Sequence, residues 1–364
     1  MGDAEPEGRG AGWRGVSGEH GRVVAHWLVV AVAVGYLAWV SPKLAADVGR
    51  AITPLNHLRW GWLALAVLCG IACLMVYGEL HRQLLLVGRA RVPVAAVQSI
   101  NIAENAISIT VPVVGGAGAL AYAIDQLRRR GVDAALASWS VLAAALISTV
   151  TLLVVGSLGL GATGRIPLAL GLALAALIAV CCFGAWKLVS HPEVLRRALR
   201  VLVGLGGWVP GLCGHCRVAW AVRAEQVSRR LSTRLALLRP SARRWMVIIM
   251  LAVVRWGLDM SCLAASVAAV GASVPWGALL VGFLLVRGSI ALQVFPGGAG
   301  LAETSLLAVL LASGMSAAPA AASVLIYRTI TWLGLALVGW ALYALTIHTS
   351  PLHFHRHAPE LAQM

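Results

Sequence analysis

Apolar residues in this chain come in long unbroken runs. Six stretches, residues 23–40, 60–80, 134–156, 166–186, 245–270 and 319–346, are long and apolar enough for spanning helices, each of which takes about 20 residues. Two further regions, 93–130 and 276–314, are similarly apolar but broken, the first at Pro112-Val-Val-Gly-Gly-Ala-Gly118 and the second at Pro296-Gly-Gly-Ala-Gly300. A break at membrane depth frees amides and carbonyls that lipid cannot satisfy, so it persists only against protein or a watery cavity. The pattern predicts an all-α polytopic membrane protein with six full spans plus two re-entrant broken-helix hairpins. A single transmembrane domain is expected over residues 23–348, between disordered cytoplasmic tails at 1–22 and 349–364.

The two broken regions resemble each other. Gly115-Gly-Ala-Gly118 aligns with Gly297-Gly-Ala-Gly300, and one residue out of step the segment from Gly131 to Leu142 aligns with that from Gly314 to Leu325. Each copy runs Pro, glycine break, apolar helix, Gly, spanning helix, over residues near 93–157 and 276–346. Three full crossings separate them, so the repeat is expected to be inverted, an architecture of alternating-access transporters with the substrate near the midplane. Amides at helix N-termini following Gly118 and Gly300 would offer positive dipole ends to an anion such as a lipid phosphate.

Charge orients the chain. The segment 187–244 carries eleven arginines, from Arg196 to Arg244, and basic loops stay cytoplasmic. Counting crossings from it puts Arg82, Arg89, Arg91, Arg128, Arg129, Arg130 and both termini on the cytoplasmic face of a bacterial inner membrane. Lys43, Arg50, Arg59 and Arg165 remain outside. The basic loop either serves as a topology signal or binds anionic lipid head groups along the inner leaflet.

A charge at the centre of a spanning helix costs about 2.5–3.5 kcal/mol on insertion scales, so those retained usually have a partner or a task. Arg255 and Asp259 are four residues apart, share a helix face and are expected to form a structural ion pair. Arg287 and Glu303 flank the second break, and Arg328 lies in the last span. These three form either a buried structural triad or a net-positive site for a charged head group. In the first copy, Gln98, Asn101, Glu104 and Asn105 make one polar stripe, which either packs against another helix or lines a cavity. Substrate contact is therefore expected from these side chains and from the breaks, through Pro112, Gly115, Gly116, Gly118, Pro296, Gly297, Gly298 and Gly300.

With 60% hydrophobic and 12% charged residues and a mean hydropathy of +0.84, a soluble fold is excluded. The net charge of +15 then reads as topology and lipid contact, with no nucleic-acid partner. Cys69, Cys73, Cys181, Cys182 and Cys262 sit in apolar runs as small hydrophobes. Cys213-Gly-His-Cys216 lacks the strand and helix of a redox motif and the further ligands of a zinc site. No His-Glu-x-x-His, nucleophile elbow or phosphate loop is present, so neither metal nor cofactor is expected, and a transporter is favoured over an enzyme.

The segment Phe295-Pro-Gly-Gly-Ala-Gly-Leu-Ala-Glu-Thr304, with Gly314, an Ala-rich helix and Leu325-Ile-Tyr-Arg328, resembles the lysylphosphatidylglycerol synthase transmembrane-region family. The resemblance runs from about Trp60 to Leu345. It implies the flippase half found in the multiple peptide resistance factor, standing alone without the domain that attaches lysine to phosphatidylglycerol. The first motif departs from the family pattern: its turn is followed by Ala119-Leu-Ala-Tyr122 where relatives often have a polar or charged residue. The expected function is a membrane lipid flippase, or a transporter of a lipid-linked anionic intermediate, with phospholipid as substrate and envelope-biosynthesis proteins as partners. The alternatives are a non-transporting accessory protein of envelope assembly and a membrane lipid transferase.

Overall fold

A computed structural model describes residues 58–111, 115–190, 241–292 and 295–349. The expected span 23–40, both tails, loop residues 191–240 with Cys213 and Cys216, and Pro112 lie outside the described residues. Every described element is helical: α1 (Trp60–Val87), α2 (Val94–Thr110), α3 (Gly115–Arg129), α4 (Ala134–Ala162), α5 (Leu168–Ser190), α6 (Ala242–Ala269), α7 (Trp276–Leu292), α8 (Leu301–Ala312), α9 (Ala317–Arg328) and α10 (Leu335–Thr349). Between α9 and α10 the winding loosens to a π-helix over Thr329–Gly334, so the two run on as one long element.

Among the described residues four helices are apolar and long enough to cross a membrane: α1, α4, α6 and the composite Ala317–Leu345. At 1.5 Å per residue, a 28-residue helix such as α1 is about 42 Å long. Local chemistry sets the boundaries. Asp133 caps α4 by accepting from the Ala135 amide at 3.2 Å, and Ser241 caps α6 by accepting from the Arg244 amide. Pro93 precedes α2, where its missing N–H leaves no unmet donor.

The bundle has two distinguishable ends. The Arg59 amide donates to the Ala269 carbonyl at 2.9 Å, while Arg244 Nη1 donates to the Leu86 carbonyl at 3.1 Å, so α1 and α6 run antiparallel along their length. Near the Arg244 end, Leu80, Leu84, Leu85, Ile100, Leu127 and Ile248 form one buried core. Leu263, Leu279, Phe283, Leu306, Leu310 and Tyr327 form another in the opposite half. Outside these cores Leu65, Leu68, Leu146, Leu177, Ile249 and Leu337 point outward. Apolar exposure on so many helices suits lipid and would be a liability in water.

Both interrupted regions are broken, with different backbones. In the second, Pro296–Gly298 forms a single 3-10 turn, and Gly297, Gly298 and Gly300 all take positive φ. In the first, Val111 is extended and α3 already starts at Gly115. The glycines 115, 116 and 118 are therefore the opening turn of α3. This corrects the expectation of a helix N-terminus after Gly118.

The two breaks meet. Trp332 Nε1 donates to the Ile109 carbonyl at 3.3 Å, and Trp340 Nε1 donates to Thr110 Oγ1 at 3.0 Å. Helices α2 and α10 come close because Gly339 has no side chain: a Cβ there would meet the Ile102 carbonyl at 2.8 Å.

Candidate functional site

The second break is knitted by Glu303 and Arg328. Glu303 stands in the first turn of α8, where its Oε2 accepts the Gly300 amide at 2.6 Å, satisfying a donor the helix start leaves open. Its Oε1 accepts Arg328 Nε at 2.5 Å, and Arg328 Nη2 reaches back to the Gly297 carbonyl at 2.8 Å. One guanidinium thus holds both a carboxylate and a carbonyl freed by the turn, and it lies 5.6 Å from the Trp332 ring centre. Arg328 is buried, and the Glu303 side chain keeps 27% of its surface exposed.

The second ion pair sits beside it and is not the expected one. Asp259 binds Arg287, 28 residues along the chain, and accepts the Tyr327 hydroxyl at 3.1 Å. Arg255, one turn from Asp259, instead donates to Ser148 and stacks over Tyr77 and Trp256 at 4.2 and 4.4 Å. Trp256 in turn donates to the Ser148 carbonyl at 2.7 Å, fixing the ring on which Arg255 rests. The structural pair Arg255–Asp259 is therefore corrected, because the aromatic shelf and Ser148 draw the longer side chain away. The triad Arg287–Glu303–Arg328 is corrected too: with Asp259 added, it separates into two pairs, each a cation with its own carboxylate.

In the polar stripe of α2, Asn101 and Glu104 are buried and Gln98 and Asn105 half-buried. Gln98 donates to the Met75 carbonyl at 2.8 Å, fitting over Gly78 of α1. Asn101 Oδ1 lies 2.8 Å from His81 Nδ1, and His81 Nε2 lies 3.1 Å from Ser140 Oγ, so α1, α2 and α4 are joined by a polar bridge inside apolar surroundings. Asn105 spends its amide on the Asn101 carbonyl of its own helix. Glu104 is 8% exposed, and Arg255 lies within electrostatic reach of it.

Sequence reasoning missed Tyr327, Trp256, Ser148, Tyr77 and His81. Tyr327 had a signal, since it adjoins Arg328 in an apolar helix. Ser148 is one hydroxyl among many, and only the fold selects it. A pocket of about 310 Å³ lies elsewhere, between the Val270–Pro275 turn and Ser313–Pro319. The arginines themselves are packed against protein.

Paired buried charges, a glycine break between short helices and an outward apolar shell agree with one comparison. Residues 26–339 match the sequence profile of the lysylphosphatidylglycerol synthase TM region. The chain belongs to that family. A search of curated proteins finds no match. The lysylphosphatidylglycerol synthase TM region covers every described helix as far as residue 339, so both breaks and all four members of the two ion pairs fall within it. The protein is accordingly a multi-pass membrane protein of a family with a lipid-related function.

Proposed function

We propose that the protein moves a membrane lipid, or a lipid-linked anionic intermediate, between the leaflets of a bacterial inner membrane, and that it is a transporter rather than an enzyme. The observation that carries this reading is the meeting of two broken helix pairs, Ile109 of one against Gly297 of the other with Trp332 of the last span packed on both, and the Arg328–Glu303 pair at the junction. Arg165 lies beside Gly277 at one end of the bundle and Arg244 beside Leu86 at the other, which supports the first hairpin entering from the cytoplasm and the second from outside. On this reading, six spans and two re-entrant hairpins form an inverted repeat, both termini are cytoplasmic, and the basic loop touches anionic lipid. Transport requires the ion pairs to open: a phosphate takes Arg287 and Arg328 from Asp259 and Glu303, while amides at the glycine turns and the α2 stripe line the opposite wall.

The test is phospholipid movement in proteoliposomes, read by chemical quenching of a fluorescent lipid in the outer leaflet. Wild type is expected to expose an anionic lipid faster than empty vesicles, and Arg328→Ala and Glu303→Gln to slow it. Equal rates in well-folded variants would remove these residues from the site. A second reading, an accessory subunit of envelope assembly, is favoured by the closure of both pairs within the protein, and it predicts no movement of any lipid.

A further inference from the structure

Five buried polar atoms have no hydrogen-bond partner among the described residues: Gln98 Oε1, Asn101 Nδ2, Glu104 Oε2, Arg255 Nε and Arg287 Nε. Each such atom costs about 1–3 kcal/mol, so a group of them in one region marks something other than packing. Three lie on the α2 stripe. The other two belong to guanidiniums that both stand over the Trp256 ring, 4.4 and 5.4 Å from its centre. Tyr77 joins the two groups: Arg255 lies 4.2 Å from its ring centre, and Glu104 is within electrostatic reach.

Charge counting gives the group a purpose. Arg287 is matched by Asp259, which leaves Arg255 to be balanced by Glu104. Arg255 donates through Nη1 to Ser148, while its Nε and Glu104 Oε2 are both left without a hydrogen-bond partner. With Glu104 ionised the group is neutral overall; with Glu104 protonated it carries one positive charge, with two arginine Nε donors free. We propose that Glu104 takes up a proton when a phosphodiester anion binds between Arg255 and Arg287, so that anion and proton cross the membrane together. The inference rests on the transport reading above.

The step is a plain protonation: a proton from water joins the Glu104 carboxylate and no other bond changes. The proton's approach lies along the stripe, where Asn101, His81 and Ser140 lead toward the end bearing Arg89 and Arg244. Tyr77 of α1 and Arg255 of α6 are the titratable groups within electrostatic reach of Glu104, and Glu104 is the carboxylate among them. Ionised, it cancels the charge that would attract the ligand; protonated, it lets the anion replace it, and the buried charge stays balanced.

The test uses the purified full chain in a zwitterionic detergent with weak buffer and a pH-indicating dye. Dihexanoyl phosphatidylglycerol is the probe, dimethyl phosphate is a phosphodiester without acyl chains, and dihexanoyl phosphatidylcholine, whose phosphodiester is neutralised by its own choline cation, is the control of zero net charge. Wild type is expected to take up close to one proton per phosphatidylglycerol bound, and its affinity to fall about tenfold per pH unit where Glu104 is ionised. Glu104→Gln should bind with no uptake and no pH dependence, while Glu104→Asp keeps both, which separates the effect from misfolding. Uptake with dimethyl phosphate alone upholds the site and assigns it to the phosphate group instead of the lipid. Binding of the lipid with no uptake, or uptake unchanged in Glu104→Gln, overturns the proposal. Failure of both diesters to bind also overturns it, and lipid movement in the vesicle assay then shows that the transport reading survives alone.

Discussion

Arg328, the last residue of α9, donates through Nε at 2.5 Å to Oε1 of Glu303 in the first turn of α8, closing the end of that hairpin away from its turn. Because the arginine is buried, removing either partner leaves an uncompensated charge or an unmet carbonyl at Gly297. Arg328→Ala is expected to cost about 3 kcal/mol, the low end for a broken buried pair because Glu303 is partly exposed. The double variant Arg328→Leu with Glu303→Leu should recover most of that stability and none of the lipid movement. Thermal unfolding in detergent beside the vesicle assay checks both. A double variant no more stable than Arg328→Ala would show that the break depends on the charges themselves.

Gly297 combines two constraints, a φ of +59° and a crowded Cβ position that would run into the Trp332 indole and come within 3.1 Å of the Ile109 carbonyl. Gly131 has a φ of +80° with open space around it. Alanine at either position carries the left-handed cost of about 1–2 kcal/mol. Only at Gly297 does it also push the two breaks apart. Gly297→Ala is therefore expected to lower the melting temperature clearly more than Gly131→Ala, and to slow lipid movement. Equal melting temperatures would mean that the contact between breaks is loose.

The long apolar helices were legible because a bilayer selects directly on length and hydropathy, which a sequence displays without its fold. Residues 60–80 and 134–156 fall within helices of that kind, and 245–270 and 319–346 match them to within one residue at the C-terminal end. The partners of the charges were not legible. Spacing says that Arg255 and Asp259 share a face, but an arginine reaches far beyond its own turn, and Tyr77, Ser148 and Trp256 come from wherever α1, α4 and α6 bring them. The glycine clusters carry a similar lesson. The aligned glycines 115, 116 and 118 are helical while 297, 298 and 300 take positive φ, since glycine permits either and the neighbours decide. His81 escaped notice because one histidine at the end of an apolar run has no pattern to betray that Asn101 and Ser140 enclose it.

A double-mutant cycle separates the pair that forms from the pair that spacing suggests. Asp259 and Arg287 should couple by about 0.5–3 kcal/mol, measured as the departure from additivity of Asp259→Asn and Arg287→Gln in unfolding free energy. Tyr327→Phe should reduce that coupling, because its hydroxyl bonds to Asp259 and also accepts from Arg287. Asp259 with Arg255 should be close to additive. Strong coupling there would reassign the carboxylate.

Sidedness can be read from single cysteines placed at the turns after the native cysteines are replaced by alanine or serine. Thr163 adjoins Arg165 at the α4–α5 turn, and Arg130 lies at the other end of α4, just before its Asp133 cap. If α4 spans the membrane with its arginine-rich start inside, Thr163→Cys in intact spheroplasts reacts with a membrane-impermeant maleimide, while Arg130→Cys reacts only after permeabilisation. The reverse pattern would invert the whole arrangement and place the basic loop outside, against the charge rule. Labelling of both from one side would remove α4 as a crossing. With only two crossings left between the breaks, the two halves could no longer be oppositely oriented, and alternating access between them would lose its geometric basis.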